Sequence, residues 1–242
     1  MKKLLIAIVV VLVWLTKMSA QCNVDTISND IIMLVDNSAS INNAEFGSFS
    51  NIIVSSINSL DASCPLSRKG VVHYGGAYGQ SVIIEHQLSS SDVITGINRQ
   101  YCLNAVCNDG GDDLNYAMGE IIRMINNNEL QLNPDNKLSI VVFTDAFSDS
   151  NCSSPNCSVT LPTTNVDILK STYGANVSVI GMSSDARPEY LAITASPGGT
   201  YSSAILNNAC NASFDGCSLP RQYIPVEFTD NSMTVGAQVA AL

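Results

Sequence analysis

The chain has few basic side chains, no apolar run long enough to cross a membrane, and none of the short motifs that mark common enzyme sites. Eleven Lys and Arg stand against 21 Asp and Glu, a net charge of −10. That balance argues against binding to nucleic acid or to anionic lipid surfaces, because both need phosphates to be neutralised. The longest apolar run, 4–15, covers twelve residues, whereas a membrane span needs about 20. A Gly-x-Ser-x-Gly elbow, a phosphate-binding loop ending in Lys-Ser/Thr and a Gly-x-Gly-x-x-Gly turn are all missing, so acyl transfer and nucleotide chemistry lose their usual sequence support. There are only two histidines: His73 lies within an apolar run and reads as a core residue, and His86 reads as a surface residue. No internal repeat or low-complexity tract is present.

What the chain does have begins with a leader. Lys2 and Lys3 precede the run 4–15, and Thr16, Lys17, Met18, Ser19 and Ala20 follow it. This is the layout of a secretory signal peptide over 1–20, cut after Ala20. The leader holds three of the eleven basic residues and no acidic ones, which leaves eight basic against 21 acidic and a net charge of −13 in the exported chain. A surplus of acidic groups suits cation binding or basic partners. Cys22, Cys64, Cys102, Cys107, Cys152, Cys157, Cys210 and Cys217 all follow the leader. An even set in an exported chain reads as four disulfides. Cys102 with Cys107, Cys152 with Cys157 and Cys210 with Cys217 are close in sequence. Cys22 with Cys64 would complete the set, and a bridge from Cys22 to the C-terminal pair competes with it. Zinc is disfavoured, because no pair has knuckle spacing and neither histidine is adjacent. Asn151, Asn156, Asn176 and Asn211 each open an Asn-x-Ser sequon, which matters only in a host that glycosylates exported proteins.

Alternation of strand and helix patterns sets the fold class. The run 31–35 is continuously apolar, as in a strand covered on both faces. Phe46, Phe49, Ile53, Ile57 and Leu60 recur at helical spacing. Segments 70–74 and 81–85 read as an antiparallel hairpin at a sheet edge. Leu114, Ala117, Met118, Ile121, Ile122 and Ile125 form one helical face, and 138–143 is a second buried strand. A short helix is expected over 166–171 with Gly174 at its C-cap, then a strand at 177–182. A helix from Pro188 to about Thr194 and a short strand near Tyr201 should follow. The expected fold is α/β, a doubly wound and mostly parallel sheet with helices on both faces and one antiparallel edge hairpin. It occupies 21–206, with a cysteine-bearing extension over 207–242, packed or linker-like, whose pattern fades and whose last residues show no periodicity.

Oxygen-bearing side chains gather where strands end. Asp36, Ser38 and Ser40 follow the run 31–35 directly, Asp112 and Asp113 follow Gly110-Gly111, and Thr144-Asp145 ends the run 138–143. Ligands of doubly wound sheets bind beyond the carboxyl ends of the strands, where strand order reverses. If the strands ending at Asp36 and Asp145 are neighbours, the two carboxylates share one crevice. Carboxylate and hydroxyl oxygens without nitrogen or sulfur select Mg²⁺, Mn²⁺ or Ca²⁺. With these three motifs in order, the chain resembles the von Willebrand factor type A domain family, including the integrin inserted domains, from about residue 29 to 205. The stretch 191–201 is similar to the last helix-to-strand passage of that family.

The resemblance implies a Rossmann-like fold and a metal-ion-dependent adhesion site. Asp36, Ser38, Ser40, Asp112 and Asp145 would hold a divalent cation, Mg²⁺ first, with Mn²⁺ or Ca²⁺ as alternatives. It also implies that the chain is not an enzyme but a secreted module binding an extracellular or cell-surface protein (periplasmic or outer-surface if the host is bacterial). Two positions depart from the pattern. Asp112 stands where the family most often has threonine, and Ala146 replaces a glycine. An extra carboxylate should hold the cation more tightly and weaken its pull on an acidic partner, and Asp113 becomes the ligand if the turn is shifted by one. Asp112 and Asp113 are also at a helix start, where carboxylates cap free N–H groups. The rival expectation is a disulfide-stiffened structural or assembly module whose cation only clamps loops. A metal-assisted hydrolase is the distant alternative.

Overall fold

Among the described residues, the apolar run 31–35 forms the middle of a six-stranded sheet. The computed structural model describes residues 29–36, 41, 43–75, 81–85, 114–145, 163–182, 191, 194–195 and 223–240. In chain order the elements are β1 (Asn29–Asp36), α1 (Asn43–Ser63), β2 (Arg68–Gly75), β3 (Ser81–Glu85), α2 (Leu114–Asn126), β4 (Lys137–Thr144), α3 (Thr163–Thr172), β5 (Asn176–Met182), β6 (Tyr223–Val226) and α4 (Ser232–Ala240). The sheet order is β3-β2-β1-β4-β5-β6. Five strands run parallel, and β3 pairs antiparallel with β2, as expected for an edge hairpin. The chain moves outward from β1 on one side and returns to β4 on the other, so strand order reverses between β1 and β4.

Strand alternation sends successive side chains to opposite faces, and each face has its own core. On one face Ile32, Leu34, Val72, Tyr74, Ile140 and Val142 meet Met118 and Ile121 of α2 and Leu169 of α3. On the other, Met33, Val35, Val71 and Phe143 meet Phe49, Ile53 and Ile57 of α1 and Val235 and Val239 of α4. The Phe49 and Phe143 rings pack edge-on with centroids 6.3 Å apart. Each large side chain removed from water here contributes roughly 1.5–3 kcal/mol before the entropy of ordering is charged against it. The expected face of α2 holds, with an adjustment: Met124 is buried, whereas Ile122 at the margin of the stripe and Ile125 in the last turn are half-buried. Helix α3 starts at Thr163, earlier than its apolar residues indicated. Gly174 has φ +64°, and the Ala175 amide bonds back to the Leu169 carbonyl at 3.0 Å, closing the helix as expected.

Three polar anchors tie the elements together. Asp30, buried at the start of β1, accepts from Arg68 Nε at 2.7 Å and Nη2 at 2.5 Å, from the Asn133 amide at 2.7 Å and from Asn136 Nδ2 at 2.8 Å. Lys69 is buried in β2 and reaches Asp61 of α1 at 2.5 Å. Lys170 of α3 donates to the Thr194 carbonyl at 2.7 Å, at the end of a helical turn in which the Ala195 amide bonds to the Leu191 carbonyl. That turn lies where the 188–194 helix was expected. Pro188 itself and the strand expected near Tyr201 lie outside the described residues.

The C-terminal stretch, featureless by periodicity, supplies both a strand and a helix. β6 pairs in parallel with β5, Tyr223 opposite Val179 and Val226 opposite Met182. Helix α4 lies on α1 so closely that a Cβ on Gly236 would stand 2.6 Å from the Ser55 backbone. Asn231 caps α4, its Oδ1 accepting from the Met233 and Thr234 amides at 3.1 Å each. Among the described residues no helix is long and apolar enough to cross a membrane. Cys64, buried just after α1, is disulfide-bonded, and its partner lies outside the described residues.

Candidate functional site

The register of the three central strands sets three polar side chains side by side. Asp36 is opposite Tyr74 of β2, and Val35 is opposite Phe143 of β4, which brings Thr144 level with Asp36. Each of the three ends the alternating series that fills the α2 face: Ile32, Leu34, Asp36; Val72, Tyr74; Ile140, Val142, Thr144. The local apolar sequences thus drive the strands into the core and carry one polar residue each to its upper boundary. Thr144 Oγ1 donates to Asp36 Oδ2 at 2.6 Å, and Tyr74 Oη donates to the same oxygen at 3.3 Å. Exposure is 0% for Asp36, 1% for Tyr74 and 0% for Thr144.

Asp145 follows Thr144 at the end of β4 and is 6% exposed. The condition posed by the sequence is met: the strands ending in Asp36 and Asp145 are neighbours, and they flank the point where strand order reverses. Buried carboxylates are costly unless they are hydrogen-bonded, paired or bound to a cation. Two of them stand at adjacent strand ends, and their oxygens are of the kind that hard cations take. His73 precedes Tyr74, so alternation puts it on the opposite face. It is buried, in keeping with a core role.

Of the five expected ligands, Asp36 and Asp145 lie at the ends of neighbouring strands. Ser38, Ser40 and Asp112, with the alternative Asp113, lie outside the described residues, as does His86. Among the described residues no three His, Cys, Asp or Glu converge. Helix α2 begins at Leu114, directly after Asp112-Asp113, and Leu114 belongs to the same core as Leu34 and Tyr74. The helix that follows the acidic pair thus covers the face on which Asp36 accepts its hydrogen bonds. Tyr74 went unrecognised in the sequence, where it reads only as the end of an apolar strand. Its role depends on the parallel register of β1 and β2, which no local pattern encodes.

A sheet of this order, with helices on both faces, defines a class of doubly wound α/β domains. The family model for the von Willebrand factor type A domain matches residues 30–211, and the chain belongs to that family. Among solved structures the chain is similar to proximal thread matrix protein 1 from the mussel byssus. One crystal form is 17% identical with a TM-score of 0.58, covering 89% of this chain and 48% of that one. The other form is 18% identical with the same TM-score, covering 89% and 47%. This chain therefore spans about half the length of those proteins, and at this identity the likeness is one of fold. No curated protein matches the sequence.

Proposed function

We propose that this chain is an exported protein-binding module of adhesion or assembly type, whose partner surface is ordered by a divalent cation at the carboxyl end of the sheet. The observation that carries the reading is the pair Asp36 and Asp145, buried at the ends of adjacent strands where strand order reverses. Asp36 and Asp145 would supply the carboxylates, and Ser38, Ser40 and Asp112 the remaining oxygens. Bound there, a cation offers an electron-poor centre to an acidic group of a partner. Asp36 is held by hydroxyls from both neighbouring strands, so its position is fixed before any ligand arrives, which lowers the ordering cost of binding. The leader at 1–20 and the even cysteine set support export, and membership of the family supports protein recognition over catalysis. The likeness to a matrix protein is compatible with assembly into extracellular material.

The test is thermal unfolding of the oxidised chain in Mg²⁺, Mn²⁺, Ca²⁺ or chelator. A cation at about 100 times its Kd should stabilise the fold by roughly 2.7 kcal/mol, and Asp36→Ala should abolish the gain. Asp112→Ala and Asp113→Ala report which of the two is a ligand. If no cation raises the melting temperature at millimolar concentration, the cation-dependent reading is wrong and a metal-free interaction scaffold remains.

A further inference from the structure

Asn176 is the first residue of β5 and also opens the sequon Asn176-Val177-Ser178. The other three sequons lie outside the described residues. Along β5 Asn176 is half-buried, and every later residue of the strand is buried. Alternation gives Ser178 the same side of the sheet as Ile180 and Met182, facing α1 and α4, and it is 3% exposed. β4 pairs with β5 from Asn176 onward, whereas β6 pairs with it only from Val179. Among the described residues, the sequon therefore has a strand neighbour on one side alone. Asn136, Asn165 and Asn231 hold elements together through side-chain hydrogen bonds, and among the described residues the Asn176 amide has none. We infer that Asn176 is an N-glycosylation site, modified before β5 joins the sheet when the chain passes through a glycosylating secretory pathway. The inference rests on export of the chain and not on the cation.

The donor is an oligosaccharide joined to a lipid diphosphate, and the host's transferase supplies the catalysis. A bond forms between Asn176 Nδ2 and the anomeric carbon of the first sugar. The bond from that carbon to the diphosphate oxygen breaks, Nδ2 gives up one proton, and the lipid diphosphate leaves. Acceptance requires both the Asn side chain and the hydroxyl two residues on. The fold separates these two needs: Asn176 keeps access to solvent, and Ser178 loses it. The sequon is thus legible in the extended chain and closed in the native sheet. The finished glycan needs room only at Asn176, directly after the turn at Gly174, which is exposed. Asn176 lies near the amino ends of the parallel strands, about 20 Å of strand away from the end that bears Asp145. A glycan here leaves the carboxyl end of the sheet open to a partner. The competing account is that β5 closes over Ser178 before the sequon is read, which predicts an unmodified Asn176.

The experiment produces the full chain with its own leader in cultured insect cells. Secreted and cell-bound fractions are mapped by mass spectrometry after enzymatic glycan release in heavy-oxygen water, which marks each formerly modified Asn separately. Most leader-cleaved chains should carry the mark at Asn176. Leader-cleaved chains that are bare at Asn176 overturn the inference and leave export standing. Chains that keep the leader and carry no sugar overturn export and the inference together. The order of events is tested on bare chain from bacteria, presented to purified transferase and lipid-linked donor either folded and oxidised or reduced and unfolded. The unfolded chain should be modified at Asn176, and the folded chain at least about tenfold less, because the enzyme meets only its opened fraction. Equal modification of the two overturns the claim that folding closes the sequon.

Discussion

Thr144 Oγ1 donates to Asp36 Oδ2 at 2.6 Å across 108 residues of sequence. Hydrogen bonds to charged groups contribute about 1.5–3 kcal/mol net, and removing one donor leaves the buried acceptor short of a partner. Thr144→Val keeps shape and burial while deleting the hydroxyl. It should lower unfolding free energy by about 2 kcal/mol in urea titrations run with chelator. Thr144→Ser should lose less, because it retains the donor and gives up only a methyl group.

Asp30 makes the start of β1 sensitive to acid. Burial pushes its carboxyl up, but hydrogen bonds from Arg68, Asn136 and the Asn133 amide, with the Arg68 charge, together outweigh burial and hold it below the usual carboxylate range. A group depressed in the folded state adds stability above its unfolded pKa, about 3.9, and the gain is lost as pH falls through the folded value. Asp30→Asn should therefore cost about 3 kcal/mol at pH 7, as expected when one partner of a buried pair is removed. The gap between variant and native protein should narrow steadily below about pH 4 in denaturant titrations.

Lys170 acts in the opposite direction. Burial is the main cause that lowers its ammonium from 10.5 to about 8, with the nearby Asp167 charge opposing. The unfolded chain holds that proton more strongly, so between about pH 8 and pH 10.5 the unfolded state binds more protons and stability rises with pH. The whole window is worth up to about 3 kcal/mol. Lys170→Met removes the titrating group, and its stability relative to the native protein should be greatest below pH 8 and decline above it. A constant difference from pH 7 to pH 10 would contradict the assignment. The bond from Lys170 to the Thr194 carbonyl, lost in the variant, sets the offset and not the slope.

Gly236 allows α4 to sit against α1. A Cβ there would meet the Ser55 carbonyl carbon and oxygen at 2.6 Å, and backbone cannot swing aside as a side-chain tip can. Gly236→Ala gains helix propensity of up to about 1 kcal/mol but should still destabilise by about 1–3 kcal/mol through overpacking. Gly236→Val should be worse. Limited proteolysis should then cut the C-terminal segment before the rest of the fold.

Much of the frame was legible because buried parallel strands are written as continuous apolar runs. β1, β2, β3, β4 and β5 fall on the segments so identified, and the C-cap at Gly174 follows from the chemistry of a left-handed residue. The adjacency of β1 and β4, on which the shared crevice depended, was only a condition in the sequence and is a fact of the sheet. β6 escaped notice because it has four residues and includes Pro225. Helix α4 escaped because its buried face is Val235, Gly236, Val239 and Ala240, two of which are too small to mark an apolar stripe. Tyr74 escaped for a different reason: its chemistry is created by register between strands, and the residue type alone reads as core. The three oxygen ligands expected at Ser38, Ser40 and Asp112 rest on the sequence and on family membership.

The two hydroxyls on Asp36 come from very different distances along the chain, 38 residues for Tyr74 and 108 for Thr144. Closing the longer loop costs only about 1 kcal/mol more in chain entropy, but it requires the second half of the polypeptide to be present and docked. The β1-α1-β2 unit can form the Tyr74 contact from the first 75 residues alone, whereas Thr144 and Asp145 arrive together with β4. A cation held between Asp36 and Asp145 would thus reward only chains whose halves have joined. Time-resolved cation uptake during refolding would serve as a clock for that final assembly, blind to the earlier local steps.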